Sequence, residues 1–76
     1  MTKLDAESAL EALARAREAD RKIWSPVEHG SNRLRHERDQ AVLDAVNAGM
    51  PLEQIADDLG VLISDVERMA ASARAR

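Results

Sequence analysis

The chain has 76 residues, a formal charge of −3, one Trp (Trp24), neither Phe nor Tyr, and no cysteine. That length suits one domain burying only roughly 60% of its unfolded surface, which leaves room for a partner subunit to add stability. Disulfides and thiolate metal sites are excluded, and the acidic total weighs against tight DNA binding by a monomer.

The core must be built from Leu, Ile, Val, Met and Ala. Fourteen residues are Ala, a composition that favours helix. No stretch alternates apolar and polar β-branched residues over strand length. The expectation is an all-α protein, a small four-helix domain spanning residues 1–76. Met1 to Leu10 has no apolar run behind positive charge, so it does not read as a signal peptide. No apolar run approaches the roughly 18 residues of a membrane span. No membrane association is expected, and a cytoplasmic location is the default. Arg outnumbers Lys nine to two, which with the many Ala hints at a GC-rich genome.

The first helix is predicted from about Asp5 to Trp24. Asp5 can cap it, with Ser8 three residues on. Glu7 and Glu11 suit its positive end, and Arg21 and Lys22 its negative end. Ala6, Ala9, Leu10, Leu13, Ala16 and Ile23 fall roughly on one face. Glu11 and Arg15 have the i,i+4 spacing of a helical ion pair. Ser25-Pro26 should stop the helix, because Pro disfavours helix in the residue before it. Val27 to Gly30 reads as a loop.

Ser31 or Asn32 can cap a second helix running to about Ala48. Gly49 then serves as a left-handed C-cap. Pro51 is placed at the first position of a third helix, which ends at Leu59. Gly60 makes the turn, and a fourth helix runs from about Leu62 to Ala73. The Arg74-Ala75-Arg76 tail is expected to fray. Residues 5–24 thus form an N-terminal helix, and residues 32–73 a core.

Within the core, Ala56 is small where two helices would cross, and Leu59 would plug the space between them. Gly60 supplies a positive φ. Val61 and Val66 would pack the fourth helix onto the third, joined by Met69, Ala70 and Ala73. Ile55 should face Val42, Leu43 and Val46. Opposite Val66, the outward face carries Ser64, Arg68, Ala71 and Ala75, with Glu67 and Ser72 at its borders.

Residues Arg35 to Met69 resemble the short helix-turn-helix proteins of actinobacteria and their phages. The resemblance rests on Glu37-Arg38-Asp39, Ala48-Gly49-Met50, Ile55-Ala56, Leu59-Gly60-Val61 and Val66. It covers nearly half of the chain. It implies a helix-turn-helix whose last helix enters the DNA major groove. Sigma-factor region-4-like domains, repressors, excisionases and terminase small subunits share the pattern. In that family the position of Leu62 is commonly Ser or Thr and that of Ile63 often Arg or another polar residue. Both carry DNA contacts there, and this chain departs at both.

Two functions follow as expectations. The first is a DNA-binding transcriptional regulator, expected as a homodimer on double-stranded DNA. Arg68 and Ser64 would read bases beside Glu67 and Ala71, while Gln54 and the Arg33, Arg35 and Arg38 cluster would hold phosphates. The alternative for that cluster is a solvated face paired with Glu28, Glu37 and Asp39. The second function is a protein-interaction module that has kept the fold and lost DNA reading. Residues 49–76 sum to −2, and Leu62 and Ile63 either widen the core or form a sticky patch. Leu10, Leu13 and Trp24 are candidates for a dimerisation arm, on the approximate heptad Ala6, Ala9, Leu13, Ala16, Asp20, Ile23 that Asp20 interrupts. The alternative is that this helix packs on the domain's own core, and for Trp24 the core role is the preferred reading. His29 and His36 lack ligand spacing for a metal. Asp57, Asp58 and Asp65 have no nucleophile or base nearby. No enzyme activity and no cofactor are expected.

Overall fold

The computed structural model describes residues 5–24 and 32–75. The readings made for Ser25-Pro26, for the Val27 to Gly30 loop, for Ser31 and for Arg76 lie outside them. The described residues form four helices: α1 (Ala6–Ile23), α2 (Asn32–Asn47), α3 (Leu52–Leu59) and α4 (Ile63–Arg74).

Asp5 caps α1 as its composition predicts. The Ser8 amide donates to Asp5 Oδ1 at 3.2 Å and the Ser8 hydroxyl to Oδ2 at 2.8 Å. The backbone amide and then the hydroxyl of Ser8 hold the Asp5 carboxyl below its ordinary value of 3.8. The Asp5 amide donates to the Ala48 carbonyl at 3.0 Å. The start of α1 therefore meets the end of α2, and the two helices run antiparallel.

Their contact is made by small side chains. Ala9, Ala12, Leu13, Ala16, Ala19 and Ile23 are the buried residues of α1. They follow helical spacing, but the stripe is turned from the expected one: Ala6 and Leu10 face solvent, and Ala12 and Ala19 replace them. Leu34, Ala41, Val42, Leu43 and Ala45 are buried on α2. An Ala-lined contact lets two backbones approach closely, and rotation toward Ala12 and Ala19 brings more methyl groups into that contact. Arg15 reaches across to Asp44 at 3.2 Å instead of back to Glu11, and Arg17 reaches Asp58 of α3 at 2.8 Å. These pairs are solvent-exposed, so each contributes roughly 0–1 kcal/mol.

Gly49 ends α2 at φ 98°. Its amide donates to Val46 and that of Met50 to Ala45, the paired bonds of a Schellman motif. Pro51 differs from its expected place. It is the N-cap of α3, not its first helical residue, with φ −63° and ψ 144°. Its carbonyl accepts from the Gln54 and Ile55 amides, so the extended ψ begins the helix one residue later. The end of α3 repeats the Schellman pattern: Gly60 donates to Asp57 and Val61 to Ala56, with Gly60 at φ 70°. Ile55, Ala56, Val66, Met69, Ala70 and Ala73 join the core of α1 and α2. Arg74 is the last residue of α4, one beyond the expected helix end, and the Ala75 amide donates to Ala71.

Two outcomes are expected. A Cβ on residue 60 would meet nothing within 4 Å, so Gly60→Ala costs backbone strain alone, about 1 kcal/mol. That corresponds to a drop of roughly 4–8 °C in Tm for a domain of this size, read by thermal unfolding. Because the folded pKa of Asp5 is lowered, its cap stabilises α1 above the ordinary carboxylate value and is lost as the pH falls through the lowered one. Following the Ser8 amide by NMR should give a titration midpoint below 3.8.

Candidate functional site

The connection from α3 to α4 is three residues, Gly60 to Leu62. The Schellman turn fixes its first two, and Val61 is half-buried against the core. Leu62 is the N-cap of α4, with extended φ −79° and ψ 154°. This position prefers Ser, Thr, Asp or Asn, whose side-chain oxygen accepts an orphan amide of the first turn. Leucine has no acceptor. Only the other half of a capping box is made: Asp65 Oδ2 accepts the Leu62 amide at 3.2 Å. Asp65 Oδ1 accepts from Arg68 Nη2 at 2.8 Å. One carboxylate therefore ties down both the start of α4 and its outward arginine.

Leu62 is 70% exposed and Ile63 41%. Neither widens the core. They border an open cleft of about 530 Å³ between α3 and the start of α4, with Ala56 and Val61 on its apolar side and Glu53 and Asp57 at its rim. Among the described residues Glu53 and Asp57 form no ion pair, whereas Asp58 is held by Arg17 and Asp65 by Arg68.

The outward face of α4 has the expected members. Ser64, Glu67, Arg68 and Ala71 are exposed. Gln54 is exposed on α3, and Arg33 and Arg35 on α2, where Arg33 lies 3.7 Å from Glu37. Arg38 is not with them. Its side chain is only 18% exposed and lies 3.6 Å from Asp20 of α1 and 3.1 Å from Asp39. Asp39 is the buried charged residue of the described chain. A phosphate role for Arg38 is thus corrected: its donors are committed to two carboxylates that hold α1 on α2. The same contact explains Asp20, which interrupts the apolar stripe of α1 to meet this guanidinium.

Of the proposed dimer-arm residues, Leu13 is buried in the core and unavailable to a partner. Leu10 is exposed. Trp24 is 72% exposed, so the core role preferred for it is overturned. It follows the last residue of α1 and lies about 100° around the helix axis from the buried Ile23. Among the described residues no helix is long and apolar enough to cross a membrane, and no group of three or more His, Asp or Glu could hold a metal ion.

Asp65, Glu53 and Asp57 were not singled out as site residues by sequence. Asp65 had a signal, its position three residues after the cap, where a capping-box acid sits. Glu53 and Asp57 had only the i,i+4 spacing that puts them on one side of α3. No family model, no curated protein and no solved structure matches the chain.

Removing the Arg38 guanidinium would leave Asp39 buried beside Asp20 without its cation. Arg38→Ala should destabilise the fold by about 3 kcal/mol. Arg35→Ala, at an exposed site, should change stability by about 0.5 kcal/mol or less. Urea unfolding of the two variants checks this contrast.

Proposed function

We propose that the chain is a protein-interaction module on a helix-turn-helix frame, with its docking surface at the start of α4. The observation that carries this reading is Leu62. An exposed leucine alone means little, since folded surfaces are rich in apolar atoms. Leu62 is different because it also occupies a cap position, where its side chain supplies no acceptor and the Asp65 amide is left to the Leu62 carbonyl at 3.0 Å. A residue that violates a local rule without a packing gain marks a site whose role lies outside the fold. Ile63 extends the apolar surface, and the carboxylates of Glu53 and Asp57 beside it would repel a phosphate backbone.

A DNA-reading role for α4 is the second reading, and the exposed Ser64, Arg68 and Ala71 favour it. Arg68 would have to leave Asp65 to form a bidentate contact with guanine. With Arg38 committed to α1, the basic cluster on α2 retains Arg33 and Arg35 for phosphates.

The stability of Leu62→Ser separates the two origins of this leucine. Restoring a capping hydroxyl should stabilise the protein by about 1 kcal/mol and raise Tm by roughly 4–8 °C. A lower Tm would show that Leu62 serves the fold and would remove the basis of the docking reading. In parallel, mixed-sequence duplex DNA should show no binding at about 50 mM salt, where electrostatic attraction is strong. Duplex binding that survives Leu62→Ser and is lost in Arg68→Ala would establish the DNA reading instead.

A further inference from the structure

We infer that the occupant of the α3–α4 cleft is a cationic, apolar segment of another protein: a helix or strand that presents Leu-like side chains flanked by Lys or Arg. The inference rests on the docking reading and adds the chemistry of the partner. It follows from how the carboxylates of the described chain are used. Asp20, Asp39, Asp44, Asp58 and Asp65 each lie within ion-pair distance of an arginine. Glu7, Glu11, Glu53, Asp57 and Glu67 do not, and of these Glu53 and Asp57 line the cleft that Leu62 and Ile63 border.

The surrounding cations do not neutralise this rim. Arg17 is directed to Asp58 and Arg68 to Asp65, at 2.8 Å in each case. An apolar floor with unpaired charge of one sign at its edge selects a partner of the opposite sign. The floor excludes water from the bound side chains, while the rim fixes orientation and speeds encounter. An acidic segment would place like charges together, and a duplex would bring its phosphates against the same two carboxylates. Both are disfavoured here for one electrostatic reason.

The probe is a pair of short amphipathic helical peptides, one of Leu and Lys and one of Leu and Glu, titrated into the full chain and followed by amide NMR. The Leu/Lys peptide should shift the amides of Glu53, Asp57, Leu62, Ile63 and Ser64. Its affinity should fall as salt is raised from about 0.1 M to 1 M, over which the screening length shrinks from about 10 Å to about 3 Å. The double variant Glu53→Gln, Asp57→Asn should weaken it by about tenfold. The Leu/Glu peptide should leave these amides unmoved.

Equal shifts from both peptides, with loss only in Leu62→Ser, would overturn the cationic occupant and leave the docking reading standing. Loss only in the double rim variant, with Leu62→Ser binding normally, would overturn the docking reading and reduce the cleft to a site of charge attraction. Shifts centred on the exposed acids of α1, Glu7 and Glu11, would overturn the assignment of the cleft altogether. Folding of each variant is checked by its thermal transition, which the exposed rim positions should leave in place and which Leu62→Ser should not lower.

Discussion

The close antiparallel contact of α1 and α2 is the constraint on which the rest of this structure depends. With no Phe or Tyr and its one Trp exposed, the chain cannot fill space with large rings. It brings backbones together instead. Ala9, Ala12, Ala16 and Ala19 meet α2, whose own Ala41 and Ala45 are fully buried. Each alanine buries little area, so stability must come from many short contacts at native packing density. The Asp5 amide on the Ala48 carbonyl fixes the register of the pair at one end, and Arg38 between Asp20 and Asp39 fixes it toward the other. Once α2 is held, its remaining apolar surface receives α3 and α4.

Glycine governs how α3 and α4 are reached. Gly49 and Gly60 both adopt positive φ and both support Schellman bonds. Each turn satisfies carbonyls at a helix end and sends the chain back toward the core, so Met50 and Ile55 are buried within a few residues of Gly49. The starts of α3 and α4 are built alike: neither Pro51 nor Leu62 offers a side-chain cap, and the carbonyl of each accepts two amides of the turn that follows. At α4, Asp65 in addition accepts the amide of the cap residue itself.

Charge is also distributed by role. Arginines from α1 reach toward α2 and α3, and the carboxylates they meet are withdrawn from any partner. The acids that stay unpaired beside the α3–α4 cleft define its electrostatic character. A net charge of −3 spread over a small chain says little by itself. What matters is which carboxylates retain their field after the helices have packed.

Local chemistry written in the sequence was enough to find the helices. Asp5 with Ser8, Gly49, Gly60 and the 3.6-residue spacing of Ile55, Ala56, Val66, Met69, Ala70 and Ala73 set four helices and most of the core. Their physical causes act within a turn or two of chain. Other features depend on distant partners and needed the tertiary structure. The face of α1 turned to include Ala12 and Ala19, because the closest approach to α2 decides among nearly equivalent alanine stripes. Arg38 left the basic cluster for Asp39, its neighbour on α2, and for Asp20, which it meets only after α1 folds back. Pro51 became a cap because its carbonyl, with ψ extended, received two amides. Leu62 and Ile63 lay within the arc that periodicity assigns to the core, yet they stand in solvent beside the open cleft between α3 and the start of α4, and α4 makes its core contact further along, at Val66, Met69, Ala70 and Ala73. Sequence periodicity thus determined which residues can share a helical face, and packing alone decided which of those faces had a neighbour to bury them.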